Sequence, residues 1–164
     1  MPDDRPPAED ATGHLLVVWS SRGGSTRRLV DAVLAGATDP AIEGVEVRDP
    51  HATDAGPDDV RWADGLIVAT PTHFGALAGL VKDWLERIYH PCLDHTRGLP
   101  YAVVTKGDTD VDGTIRQLEP IAAGLGWRQA LPPLLVVGDL TDEHLAAATE
   151  LGGTMAAGLA YGGL

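Results

Sequence analysis

The sequence predicts a three-layer α/β/α sandwich built on a five-stranded parallel sheet. Three observations lead there: short continuous apolar runs typical of strands buried on both faces, helical apolar stripes following most of them, and polar, glycine-bearing connections between the two. The order reads β-α five times, the second helix being poorly formed.

Leu15 to Trp19 is the first buried run. The turn Ser20 to Thr26 follows, and Leu29, Val30, Val33 and Leu34 then repeat at helical spacing. Val45 and Val47 alternate with charged residues, as expected of a short strand near the sheet edge, and Asp58 to Ala63 supplies one helical turn. Leu66 to Ala69 forms the next strand, Thr70 to Gly75 a polar and aromatic loop. Leu77, Leu80, Val81, Trp84, Leu85 and Ile88 lie on one face of a helix that Pro91 closes. Tyr101 to Val104 is an apolar strand followed by the polar segment Lys106 to Gly113. Ile115, Leu118, Ala122 and Leu125 mark a helix that Pro120 should kink or delay. Leu134 to Val137 is the last strand, and Glu143 to Ala160 is an Ala-rich helix capped by Thr141, with Gly152 and Gly153 weakening its middle.

At 164 residues and 44% hydrophobic content the chain suits one domain, expected over residues 14–164. Residues 1–13 read as a disordered leader, in which Pro2, Pro6 and Pro7 stand among acids and offer little apolar surface. A formal charge of −12 argues against nucleic acid or an anionic membrane as partner and favours basic partners. No apolar run approaches the roughly 20 residues needed to span a bilayer, and the N-terminus lacks the pattern of a signal peptide, so a cytoplasmic location is expected. The single Cys92 allows no intramolecular disulfide. His51, His90, His95 and His144 have no metal-ligand spacing, and Asp108, Asp110 and Asp112 depart from a calcium loop in their glycine and terminal acid, so no metal is expected.

In an open parallel sheet, ligands bind beyond the carboxyl ends of the strands. The first such loop, Ser20-Ser21-Arg22-Gly23-Gly24-Ser25-Thr26, combines hydroxyls, two glycines and a helix N-terminus, the parts of a phosphate cradle. It has no Lys for a nucleoside triphosphate and no G-x-G-x-x-G for a dinucleotide, so a terminal phosphate monoester suits it better. An ordinary turn capping a helix is the alternative. A second loop, Pro71-Thr72-His73-Phe74-Gly75, adds an aromatic ring and an imidazole. A third, Thr105-Lys106-Gly107-Asp108-Thr109-Asp110, adds backbone amides, a cation and carboxylates. Trp19 reads as packing rather than a ligand contact, and Trp62, Trp84 and Trp127 as core or helix–sheet contacts.

Together these loops resemble the flavodoxin-like superfamily, in its flavodoxin and NAD(P)H-dependent FMN-reductase or quinone-reductase branches, over about residues 14 to 162. The family's [T/S]-x-T-G-x-T motif matches Ser21, Gly24 and Thr26, with Gly23 where a third hydroxyl is usual. Pro71 to Gly75 is similar to the P-T-x-F-G flavin loop of the quinone-reductase branch. Leu125-Gly126-Trp127 and Pro132-Pro133-Leu134 match as well. The resemblance implies strand order 2-1-3-4-5 and FMN as cofactor. Ser21, Arg22, Gly23, Gly24, Ser25 and Thr26 would hold the phosphate, with Ser20 an extra donor. Pro71, Thr72, His73, Phe74 and Gly75 would line the ring and ribityl chain. Thr105, Lys106, Gly107 and Asp108 would edge the pyrimidine half, Asp108 accepting from flavin N3–H and Lys106 favouring negative charge near N1.

The chain lacks the His-Gly-Gly string and the tetramer-building insertion of the quinone-reductase branch. It also lacks an aromatic residue between Lys106 and Ile115 to sandwich a flavin, leaving one ring face open to a nicotinamide, a quinone or a neighbouring subunit. The expectation is a flavoprotein oxidoreductase that passes electrons from NAD(P)H to a small acceptor such as a quinone. No side chain need serve as acid or nucleophile, and His73 is the one candidate for a direct role. The alternative is a non-catalytic electron carrier docking a basic redox protein through its acidic surface. A flavin-free binding domain on the same scaffold is a third reading, supported by Gly23. A homodimer covering the open flavin face and the helix that carries Trp84 is expected by analogy.

Overall fold

The computed structural model describes residues 13–164; the expected leader lies outside the described residues, except that Gly13 already opens the first strand. The strands are β1 (Gly13–Trp19), β2 (Val45–Arg48), β3 (Gly65–His73), β4 (Ala76–Leu77), β5 (Pro100–Gly107), β6 (Arg128–Gln129) and β7 (Leu134–Val137). The helices are α1 (Ser25–Ala37), α2 (Pro57–Trp62), α3 (Gly79–Cys92), α4 (Asp112–Gly124) and α5 (Asp142–Tyr161).

The main sheet is parallel, in the order β2-β1-β3-β5, with β6 and β7 both pairing the outer side of β5. Counted as one interrupted strand, β6 and β7 complete the expected order 2-1-3-4-5. The interruption falls at Leu131-Pro132-Pro133, where two prolines remove ladder donors on an edge strand.

Period-two alternation divides the central strands between two cores. Leu16, Val18, Leu66, Val68, Tyr101 and Val103 face α2, α3 and α4, while Leu15, Val17, Ile67, Ala69, Ala102 and Val104 face α1 and α5. Trp84 is fully buried in the first core, so it offers nothing to a surface contact.

Several elements differ from expectation. Gly152 also has a packing role, letting α5 approach α1: a Cβ there would lie 2.0 Å from Val33 O, and one on Gly36 would lie 1.9 Å from Thr149 O. Helix α4 runs unbroken through Pro120 and its start is not delayed. Pro91 sits inside the last turn of α3 rather than closing it. No helix among the described residues is long and apolar enough to cross a membrane.

The largest correction lies at the end of β3. The sequence pattern predicts a loop over Thr70 to Gly75 and a helix from Leu77, yet β3 continues to His73 and turns back into β4, pairing Thr72 with Leu77 and His73 with Ala76. The two-residue turn is Phe74-Gly75, with φ of 52° and 71°. Positive φ at both central positions gives the tight hairpin turn whose twist matches its strands. Strand β5 likewise outlasts its apolar run and ends at Gly107, because Thr105 and Lys106 keep the ladder with Thr70 and Pro71.

Candidate cofactor site

The site forms where β1, β3 and β5 end. Gly23 and Gly24 both have positive φ, 78° and 92°, and nothing lies within 4 Å of where their Cβ atoms would be. Two consecutive left-handed residues explain why glycine stands at position 23, where a hydroxyl is usual in the motif. They bend the chain from β1 into α1, whose first intrahelical bond runs from Arg28 N–H to Gly24 O. Ser21 Oγ accepts from Arg27 N–H at 3.1 Å. The N–H groups of Ser25 and Thr26 are left without an intrahelical acceptor at the positive end of the helix dipole.

One cavity of about 190 Å³ is lined by Arg22, Gly23, Ser25 and Thr26 from the first loop, Pro71, Thr72 and His73 from the second, and Lys106, Gly107 and Asp108 from the third. All three loops therefore meet. A second cavity of about 260 Å³ adjoins it through Arg22, Pro71 and His73, and carries Ser20 and Ser21. A larger cavity, about 370 Å³, lies against Leu131 to Leu134 and α5, away from these loops.

Four expected residues, Gly24, Phe74, Gly75 and Thr105, line neither of these two cavities. Phe74 is fully exposed at the hairpin tip, and neither it nor Gly75 lines a cavity. Thr105 is buried beneath the site, where Thr72 Oγ1 lies 2.8 Å from Thr105 Oγ1 and 2.6 Å from Thr114 Oγ1. Trp19, which reads as packing, is half-buried at the end of β1. Arg27 covers its ring at 4.5 Å and its Nε1 donates to Asp49 O at 3.0 Å.

Lys106 is the sheltered cation of the site. Its side chain is 14% exposed, and its Nζ lies 3.7 Å from the carboxylate of Asp108, itself 97% exposed. So loose a pair with an exposed carboxylate is weak, and Lys106 lines the three-loop cavity.

Sequence reasoning missed the supports. Thr114 and Gln117 of α4 hold the hairpin, Thr114 through Thr72 and Gln117 by accepting from Leu77 N–H at 2.7 Å. It also missed Ala78, Gly79 and Leu80 as a cavity wall, because Leu80 fits the apolar stripe of α3; it is in fact 46% exposed.

A family model described as NADPH-dependent FMN reductase matches residues 15–141. The chain belongs to that family. It is 37% identical over 76 residues to a flavodoxin of Aquifex aeolicus (strain VF5), a match spanning 46% of this chain and 40% of that protein's length. Among solved structures, a flavodoxin from the domain Archaea superposes with a TM-score of 0.77 at 18% identity, covering 89% of this chain and 98% of that one. A flavodoxin, WrbA-like protein from Agrobacterium tumefaciens gives 0.72 at 19% identity, covering 90% and 97%. These structural likenesses establish the flavodoxin-like fold.

The family's cofactor is FMN and its activity is flavin-dependent redox chemistry. The residues present fit that cofactor. Thr26 is only 2% exposed and lines the three-loop cavity, and its hydroxyl, without a protein partner among the described residues and not sealed from solvent, opens into space at that cavity. That hydroxyl and the free N–H groups at the α1 N-terminus are the donors a phosphate oxygen requires.

Proposed function

We propose that this family member is an FMN-dependent oxidoreductase that takes electrons from NAD(P)H and delivers them to a small acceptor such as a quinone. The observation carrying this reading is the cavity in which all three loops meet around the unpartnered hydroxyl of Thr26. When bound, FMN supplies the hydride and electron transfer.

The chain's own residues hold and tune it. The N–H groups of Ser25 and Thr26, with the Thr26 hydroxyl, bind the phosphate, and Gly23 and Gly24 allow close backbone approach. Pro71, Thr72 and His73 border the ribityl chain and ring. Lys106 stabilises negative charge at the pyrimidine edge, and Asp108 accepts a hydrogen bond there. The third loop carries no aromatic side chain, which leaves room for a second planar molecule.

The test is anaerobic mixing of FMN-loaded protein with NADPH or NADH, followed by loss of flavin absorbance. Bleaching within seconds, and recovery of colour on adding a quinone, supports the enzyme. Absence of bleaching with both donors overturns it.

The formal charge of −12 and the likeness to the Aquifex flavodoxin favour a second reading, an electron carrier for a basic redox partner. In that case a basic reductase, not a nicotinamide, bleaches the flavin, at a rate that falls as salt rises.

A further inference from the structure

The cavity adjoining the three-loop cavity has its own provision for negative charge. Ser20 is 4% exposed, lines this cavity and not the other, and its side chain has no hydrogen-bond partner among the described residues. Trp84 Nε1 is the one side-chain donor or acceptor sealed from solvent without a partner among those residues, so Ser20 Oγ reaches open space. That space is bordered by Ala78, Gly79 and Leu80, the start of α3. The first bonds of this helix come from Val81 and Lys82 N–H to Ala78 O, leaving the N–H groups of Gly79 and Leu80 without intrahelical acceptors. Arg22, exposed and in no ion pair among the described residues, stands where the two cavities meet. In a chain with twice as many acids as bases, 24 against 12, an unpaired guanidinium beside an unsatisfied hydroxyl and a helix N-terminus marks a place for an anion.

FMN has a single phosphate, and the α1 cradle around Thr26 accounts for it. We propose that the Ser20 cavity is a second phosphoryl subsite, which takes the pyrophosphate of the nicotinamide dinucleotide donor while FMN occupies the first. This rests on the reading of NAD(P)H as donor. Ser20 donates to a phosphoryl oxygen, the α3 N-terminus supplies two N–H groups, and Arg22 supplies charge shared with the FMN site.

The experiment titrates inorganic pyrophosphate, and separately inorganic phosphate, into FMN-loaded protein by calorimetry, for wild type, Ser20→Ala, Leu80→Glu and Leu80→Gln. Leu80 is 46% exposed, so its replacement spares the fold. The proposal expects saturable pyrophosphate binding without release of FMN, tenfold weaker in Ser20→Ala and at least tenfold weaker in Leu80→Glu, with Leu80→Gln near wild type. Phosphate binding as tightly as pyrophosphate would make the subsite one for a lone phosphoryl group and overturn its assignment to a dinucleotide. No binding, binding only as FMN is displaced, or binding indifferent to Ser20 and Leu80 overturns the subsite itself. The two readings fail separately: Ser20-dependent pyrophosphate binding without bleaching by NADPH or NADH removes the donor and keeps the subsite, whereas bleaching without pyrophosphate binding does the reverse.

Discussion

A Cβ on Gly113 of α4 would lie 1.6 Å from the carbonyl oxygen of Gly75, so these two glycines set how closely the site hairpin and its supporting helix meet. No flexible side chain can yield there, because the neighbour is backbone. Gly113→Ala must push the hairpin from its place. Overpacking of this kind costs about 1–3 kcal/mol, read as a lower urea midpoint. FMN affinity should fall at least tenfold in the same variant, since Pro71, Thr72 and His73 move with the hairpin. An unchanged FMN affinity would show that the hairpin's position does not matter to the site.

The buried hydroxyls of Thr72, Thr105 and Thr114 tie β3, β5 and α4 together below the cavity. Thr114→Val leaves Thr72 Oγ1 with one partner instead of two and should destabilise the protein by about 1–2 kcal/mol in urea denaturation. Thr114→Ser keeps the hydroxyl and should recover most of that loss.

Neighbouring glycines in α5 should respond with opposite signs. Alanine is favoured over glycine in a helix interior by about 1 kcal/mol. At Gly153 the nearest atom to an added Cβ is Gly36 O at 3.5 Å, an ordinary contact, so Gly153→Ala should stabilise by up to about 1 kcal/mol. At Gly152 the Cβ would meet Val33 O at 2.0 Å, and steric overlap outweighs propensity. Gly152→Ala should therefore destabilise by about 1–3 kcal/mol in the same denaturation series.

Cys92 is fully buried, and its Sγ lies 3.7 Å from Pro57 O. Burial pushes the thiol above its ordinary 9.0, opposed by Arg61 and assisted by Asp58. Native protein should resist iodoacetamide at pH 8 and react once unfolded. Because the folded value is the raised one, the associated stability is present below pH 9.0 and lost as pH rises beyond it. Cys92→Ala should flatten that decline. Tyr101, pushed up from 10.0 by burial and then by Glu119, contributes a loss of the same sign as pH rises beyond 10.0.

The strands were legible because each is an uninterrupted apolar run whose alternate residues serve both cores, as Leu15 and Val17 do against Leu16 and Val18. The turn from β1 into α1 was legible because paired glycines beside hydroxyls suit a tight connection ahead of a helix, and Gly23 and Gly24 both take positive φ there. The hairpin was not. Leu77 satisfies a helical stripe as well as a strand pair, and Phe74 gives no local sign of adopting positive φ. The fit of α5 to α1 was hidden for another reason: close approach at Gly152 depends on Val33, far away in the chain, whereas propensity sees only the helix itself.

On the proposed function, the α1 N-terminus around Thr26 holds the phosphate of FMN. Titration of the apo protein with FMN and with riboflavin, for wild type and Thr26→Val, tests it most directly. FMN should bind at least about 100-fold more tightly than riboflavin, with Thr26→Val reducing that ratio by about tenfold or more, as loss of a hydrogen bond to a charged group requires, and leaving riboflavin affinity unchanged. Equal affinity for the two flavins, or a ratio untouched by Thr26→Val, would contradict it.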